Sequence, residues 1–94
     1  MPLEAAVENA LVRETKKRGG WAPKLGLGVA GFPDRTLLMP GGRVAFVETK
    51  RPGARPRALQ RWVHRKLRQL GFRVAVIDRT EAIAPFFEEW LRDG

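Results

Sequence analysis

The stretch Phe32-Pro33-Asp34-Arg35-Thr36-Leu37-Leu38-Met39-Pro40-Gly41-Gly42-Arg43-Val44-Ala45-Phe46-Val47-Glu48-Thr49-Lys50 decides how the rest of the chain is read. Two runs of strand-prone residues flank a Gly41-Gly42 turn, a pattern that predicts a β-hairpin. An acid, Asp34, opens the first arm, and Glu48 and Lys50 close the second. Side chains alternate faces along a strand, so Glu48 and Lys50 point the same way. Asp34 joins them only if it stands opposite Glu48, which needs every paired set of residue numbers to sum to 82. That register leaves an odd loop, Pro40-Gly41-Gly42, with Met39 facing Arg43. Three-residue loops with a glycine in the left-handed region are common. A two-residue Gly41-Gly42 loop would set Asp34 against Thr49 and aim it away from Glu48. The odd loop is the expectation.

The composition fits one folded domain spanning residues 1–94, with 44% hydrophobic residues and three tryptophans. There is no cysteine, which excludes disulfides and thiolate metal sites. No apolar run approaches the roughly 20 residues of a bilayer span, so no membrane partner is expected. The N-terminus opens into an acidic amphipathic segment and not a signal peptide, and a cytoplasmic location follows as the expectation.

The net charge of +8 is unevenly spread. Thr49 to Ile77 contains no acid and nine bases: Lys50, Arg51, Arg55, Arg57, Arg61, Arg65, Lys66, Arg68 and Arg73. Such a block is the electrostatic footprint of a phosphate-backbone binder, and arginine forks match phosphate. Arg51, Arg55, Arg57, Arg61 and Arg65 are the candidate DNA contacts. Between Thr15 and Ile77 there are only two acids, Asp34 and Glu48. Two carboxylates set in a strongly positive field do work that a base cannot.

Pro2 to Arg18 reads as a first helix, with Leu3, Val7, Ala10 and Leu11 on one stripe and Gly19-Gly20 as the stop. Glu4 and Glu8 stand on one flank of it, and Glu14 falls near the stripe's centre. Trp21 to Leu25 is expected as a short strand limited by Pro23. Gly26-Leu27-Gly28-Val29-Ala30-Gly31 matches GxGxxG letter for letter, but Phe32-Pro33 follows where the dinucleotide fingerprint needs a helix to begin. It is read as a loop. Val44 to Val47 is apolar on both faces, as in a central strand covered on both sides. Arg57 to Leu70 reads as a second helix, with Leu59, Trp62, Val63, Leu67 and Leu70 inward and the arginines outward. His64, the one histidine, reads as structural or phosphate-contacting. Phe72 to Asp78 is expected as a fourth strand, parallel to the second hairpin arm. Thr80 is a candidate N-cap for a last helix with Phe86, Phe87, Trp90 and Leu91 inward and Glu88, Glu89, Arg92 and Asp93 outside.

The elements order as α-β-β-β-α-β-α, an α/β fold with a mixed four-stranded sheet flanked by helices. The candidates for chemistry are Glu8, Asp34, Glu48, Lys50 and Gln60. Two converging carboxylates at a strand end make a hard-oxygen site suited to Mg²⁺ or Mn²⁺, and the Thr49 carbonyl offers a third ligand. Such a metal polarises a phosphoryl oxygen and makes water a stronger acid. Lys50, on the same face, is placed to orient or activate the attacking water. The chemistry this points to is metal-assisted phosphodiester hydrolysis.

Pro33-Asp34, a hairpin and then Glu48-Thr49-Lys50 match the pattern of the PD-(D/E)XK nucleases, whose fold is restriction-endonuclease-like. With Gly31-Phe32-Pro33-Asp34-Arg35, Pro40-Gly41-Gly42, Glu48-Thr49-Lys50-Arg51-Pro52-Gly53 and then Gln60 inside a basic helix, the chain resembles the virus-type replication-repair nuclease (VRR-NUC) domain from about Glu8 to Ala84. The resemblance implies that Asp34, Glu48 and the Thr49 carbonyl hold the metal, that Lys50 is catalytic and that Gln60 organises the site. The family's first-helix acid falls best on Glu8, with Glu4 and Glu14 open. It further implies a bacterial or phage-encoded homodimer acting on branched DNA such as four-way (Holliday) junctions. The glycine-rich Gly26 to Gly31 departs from the pattern, where more polar residues are expected. The alternative reading is a non-catalytic DNA-binding module that kept the nuclease fold. An RNA-binding protein fits less well, because no strand carries the aromatics that stack bases.

Overall fold

The computed structural model describes residues 3–92. Pro2, expected in the first helical turn, and Asp93, expected outside the last helix, lie outside the described residues. The Pro40-Gly41-Gly42 loop reverses the chain with Gly41 at φ 84° and Gly42 at φ 74°, both in the left-handed region that glycine enters without strain. It joins β1 (Arg35–Met39) to β2 (Arg43–Thr49), which pair antiparallel with Arg35 opposite Val47 and Met39 opposite Arg43. This is the register in which paired numbers sum to 82. Carried one residue further, it sets Asp34 against Glu48.

The chain then passes through α2 (Ala58–Gln69) and returns as β3 (Arg73–Ile77), parallel to β2 with Glu48 opposite Val76. The sheet order is β1-β2-β3, so β2 is central. Among the described residues the sheet has three strands and not the expected four. The Trp21 to Leu25 segment makes only a bridge. Trp21 exchanges backbone hydrogen bonds of 2.9 and 2.8 Å with Leu38, and the Pro23 carbonyl accepts from the Thr36 N–H at 3.0 Å. Pro23 has no N–H to return, and the ladder stops there.

Helix α1 (Leu3–Lys17) and helix α3 (Ile83–Arg92) cover one face of the sheet. Val7, Leu11, Leu37, Ala45, Val47, Ile77, Ile83, Phe87 and Trp90 form that core. On the opposite face Phe46 and Val74 meet Val63 and Leu67 of α2. Alternation along β2 therefore sends Ala45 and Val47 to one layer and Phe46 to the other, which is why the strand is apolar on both sides.

Helix α2 buries a narrower stripe than its sequence suggests. Val63, His64 and Leu67 are buried, while Leu59, Trp62 and Leu70 are half or more exposed. The sheet face beneath offers only Phe46 and Val74, with Phe32 and Val44 at the margin. Thr80 does not cap α3. Residues Thr80–Ala82 form a 3₁₀ turn whose N-cap is Arg79, and α3 begins at Ile83. No helix among the described residues is long and apolar enough to cross a membrane. Leu67→Ala is expected to lower stability by about 2–4 kcal/mol and Leu70→Ala by no more than about 0.5 kcal/mol, measured by urea unfolding. Equal losses would mean that the buried stripe of α2 is misplaced.

Candidate active site

Glu48 leaves β2 on the same face as Phe46, pointing under α2, and is 2% exposed. A carboxylate this deep needs compensation. Its Oε2 accepts from Gln60 Nε2 at 3.1 Å and lies 3.7 Å from Lys50 Nζ. Its Oε1 has no hydrogen-bond partner. The nearest cationic candidate to Oε1 is His64 Nε2 at 3.6 Å, buried and itself without a hydrogen bond. His64 is pushed toward its neutral form by burial first and then by Arg68 and Lys50, with Asp34 opposing.

Asp34 stands across the hairpin. Its Oδ2 accepts from both the Thr49 N–H at 2.8 Å and the Thr49 hydroxyl at 2.9 Å, which fixes the carboxylate over the end of β2. Burial, and then the Asp34 carboxylate beside it, raise the Glu48 pKa from 4.5 to about 8, with Lys50 opposing the rise and Glu4 adding to it. The hairpin thus places two acids where the second ionises with difficulty.

Gln60 is held from both ends. Its Oε1 accepts from the Arg57 N–H at 2.7 Å, closing the first turn of α2, while its Nε2 reaches Glu48. This is half of a capping box, because the Arg57 guanidinium has no acceptor to offer in return.

A cavity of about 460 Å³ opens over these groups, with Glu4, Asp34, Glu48, Lys50, Arg57 and Gln60 in its walls. A cavity of about 460 Å³ at the other end of the sheet, among Arg43, Arg68, Arg73 and Trp90, has no carboxylate in its lining. Chemistry distinguishes them, not volume. Glu8 is not in the wall. Arg35, the first residue of β1, faces α1 and binds Glu8 at 2.8 Å, with Lys24 3.4 Å from the same oxygen. Glu4, one turn earlier on α1, reaches the cavity instead. Glu14 pairs with Arg18 at 2.9 Å and Lys17 at 3.1 Å, and Arg18 lies over the Phe87 ring at 4.4 Å, a structural use. Arg51, Arg55, Arg57, Arg61 and Arg65 are all exposed. His64 is buried beside Glu48 and does not face solvent phosphate. Its i, i+4 spacing from Gln60 is the sequence signal for that position. Among the described residues no set of three or more His, Cys, Asp or Glu side chains is grouped as a metal cage. A cation bound here would need ligands beyond these side chains, from backbone, substrate oxygens or water.

Glu48 on the central strand, Lys50 two residues on and Asp34 across the hairpin define a small α/β domain with an acidic site at one end of its sheet. The fold superposes on a solved structure described as a VRR_NUC domain with a TM-score of 0.89 and 26% identity, covering 96% of this chain and 99% of that one. The sequence is 42% identical over 76 residues to "Putative nuclease p44" of Acyrthosiphon pisum secondary endosymbiont phage 1, covering 80% of this chain and 82% of the phage protein. No protein-family model matches the chain. The chain belongs to the VRR-NUC nuclease family.

Glu48→Gln keeps the side chain's shape and removes its charge. Because the folded-state pKa of Glu48 is raised from 4.5 to about 8, its ionisation does not oppose folding below 4.5 and opposes it increasingly as pH rises to about 8. In metal-free buffer E48Q is expected to melt above the wild type, the gap widening from about pH 5 to about pH 9 and reaching roughly 1–3 kcal/mol. Thermal melts across that range check it, and a gap that ignores pH would place the penalty elsewhere.

Proposed function

We propose that the protein is a Mg²⁺- or Mn²⁺-dependent endodeoxyribonuclease that hydrolyses phosphodiester bonds in branched DNA, four-way junctions among them. The observation that carries this reading is Glu48: a buried acid with an unpartnered oxygen, opposed by a second acid across the hairpin. A lone ion pair at a strand end gives no reason for that arrangement. A hard divalent cation does, because it supplies the positive charge the two acids lack and takes oxygen ligands.

Asp34, Glu48 and the Thr49 carbonyl are the groups that would hold the cation. The Thr49 N–H points to Asp34, and a residue's carbonyl in a strand lies on the same side as its N–H. When bound, the cation withdraws charge from a phosphoryl oxygen and makes water a stronger acid. Lys50, 15% exposed beside Glu48, orients the attacking water and offsets charge that develops on the phosphate. Gln60 holds Glu48 in line. Of the first-helix acids the resemblance leaves open, with Glu8 favoured, Glu4 is the one assigned to the site, because it alone of them lines the cavity. The exposed arginines of the Arg51 to Pro56 loop and of α2 carry the DNA backbone past the site. A homodimer would match the two-fold symmetry of a four-way junction.

Asp34→Asn and Glu48→Gln are expected to bind junction DNA as the wild type does and to lose Mg²⁺-dependent cleavage by at least about 100-fold. Variants that still cut would remove the hydrolase reading. Glu4→Ala should lower cleavage about tenfold with little change in melting temperature, while Glu8→Ala should cost about 1 kcal/mol of stability through Arg35. The reverse pattern would return the role to Glu8. Affinity for DNA should fall steeply with salt, and Arg61→Ala should reduce the slope of log K against log salt by about 1. A flat salt response would exclude α2 as the DNA face.

A further inference from the structure

The glycine-rich run that imitates a dinucleotide fingerprint has a different physical basis. Val29 N–H bonds to the Gly26 carbonyl at 3.1 Å and Phe32 N–H to the Val29 carbonyl at 3.2 Å, making two consecutive β-turns. Gly28 at φ 92° and Gly31 at φ 80° occupy the third position of each, where a type II turn demands glycine. The turns consume the Val29 and Phe32 N–H groups, which are then not offered to a phosphate. The loop is also seated firmly. A Cβ on Gly26 would meet the Phe32 ring at 2.2 Å, and one on Gly31 would meet Leu59 at 2.8 Å.

What this frame displays is apolar. Leu25, Leu27 and Val29 are 61%, 78% and 57% exposed, and Leu59 beside Gly31 is 50% exposed. Exposed apolar patches on this scale are often binding surfaces. The position of this one narrows what it binds. Phe32 and Asp34 line both the active-site cavity and the hollow beneath the loop, so the apolar tip borders the carboxylates directly. Exposed Lys24 and Arg57 flank it and suit phosphates on either side.

Resting on the nuclease reading above, we infer that Leu27 and Val29 form a wedge that packs against unstacked bases and selects DNA with broken or strained stacking. Aliphatic side chains used this way insert between base steps, and the unstacking they require is least where pairing is already interrupted. Intact duplex must be opened at a loss, whereas at the crossover of a junction continuous stacking along each strand is interrupted, and opening costs less. A second copy of the chain is the competing occupant. Leu25, Leu27, Val29 and Leu59 together present on the order of a few hundred Å² of apolar surface, against roughly 800 Å² that each partner buries in a standard interface. A copy seated there would also cover the mouth beside Asp34 and keep DNA from the site.

The test uses the full chain carrying Glu48→Gln, with a four-way junction labelled by 2-aminopurine at its crossover and a continuous duplex of the same sequence. Binding to the junction should raise 2-aminopurine fluorescence at least about twofold, with affinity at least about tenfold above that for duplex. Leu27→Ser with Val29→Ser should abolish the fluorescence rise and bring the two affinities within about threefold, at unchanged melting temperature. Leu27→Phe should keep both signals. A serine double variant that retains the fluorescence rise and the junction preference overturns the wedge. So does one whose sedimentation mass falls from dimer to monomer, since a second copy then covers the loop. Cleavage is scored separately: a wild type that never cuts removes the hydrolase reading and leaves the fluorescence result to judge the wedge.

Discussion

The structure turns on holding a carboxylate at the dry end of the central strand. Removing an ionised acid from water costs several kcal/mol unless its surroundings restore what water gave. Around Glu48 they restore only part. Gln60 donates to one oxygen and Lys50 lies near the same one, while the other oxygen goes without a hydrogen bond. Asp34 then adds a like charge across the hairpin, and Glu4 a weaker one from α1. A fold selected for stability alone would place an apolar or neutral residue there, and small domains have little stability to spare. The chain itself leaves the ionised form of Glu48 undercompensated, and the raised pKa is the consequence.

Each layer contributes to keeping that acid in place. Burial of β2 requires helices on both faces, which α1 and α3 supply on one side and α2 on the other. The distance between the acids is set by the loop at the far end of the hairpin, because one residue more or less at Pro40-Gly41-Gly42 would move Asp34 to the opposite face. Helix α2 is joined to the site through its own first turn, since the Gln60 side chain that closes the helix at Arg57 also grips Glu48. The Glu8–Arg35 pair does for α1 what Gln60 does for α2. It locks the helix against β1, and that in turn sets where Glu4 points.

The hairpin, its register, the parallel return of β3 and the central position of β2 are readable from residue order, because alternation and turn length leave few choices. The facing of helical residues is less so. Glu4 and Glu8 are four apart on one flank, and no periodicity separates them. What separates them is Arg35, whose side is fixed by strand parity and whose charge captures Glu8. His64 gave the same difficulty: its burial depends on the narrowness of the sheet face, which holds only Phe46 and Val74 under α2. Trp21 to Leu25 has strand composition, and one missing proline N–H reduces it to a bridge. The first two turn on what tertiary packing brings alongside, and the third on one missing donor within the segment itself.

The loop and the carboxylates also share a mechanical path. Gly31 lies so close to the Leu59 backbone that no side chain fits between them, and the next residue is Gln60, which holds Glu48. The next residue after Gly31, Phe32, packs edge-on against Phe46, two residues before Glu48 on the same face of β2. A displacement of the loop by substrate is therefore passed to both sides of the buried acid within one residue of α2 and two of β2. Close-packed contacts of this kind transmit strain because they cannot compress. Under the wedge proposed above, the loop that would meet the bases and the strand that holds the buried acid are joined by close packing, so the seating of substrate on Leu27 and Val29 would be felt at Glu48.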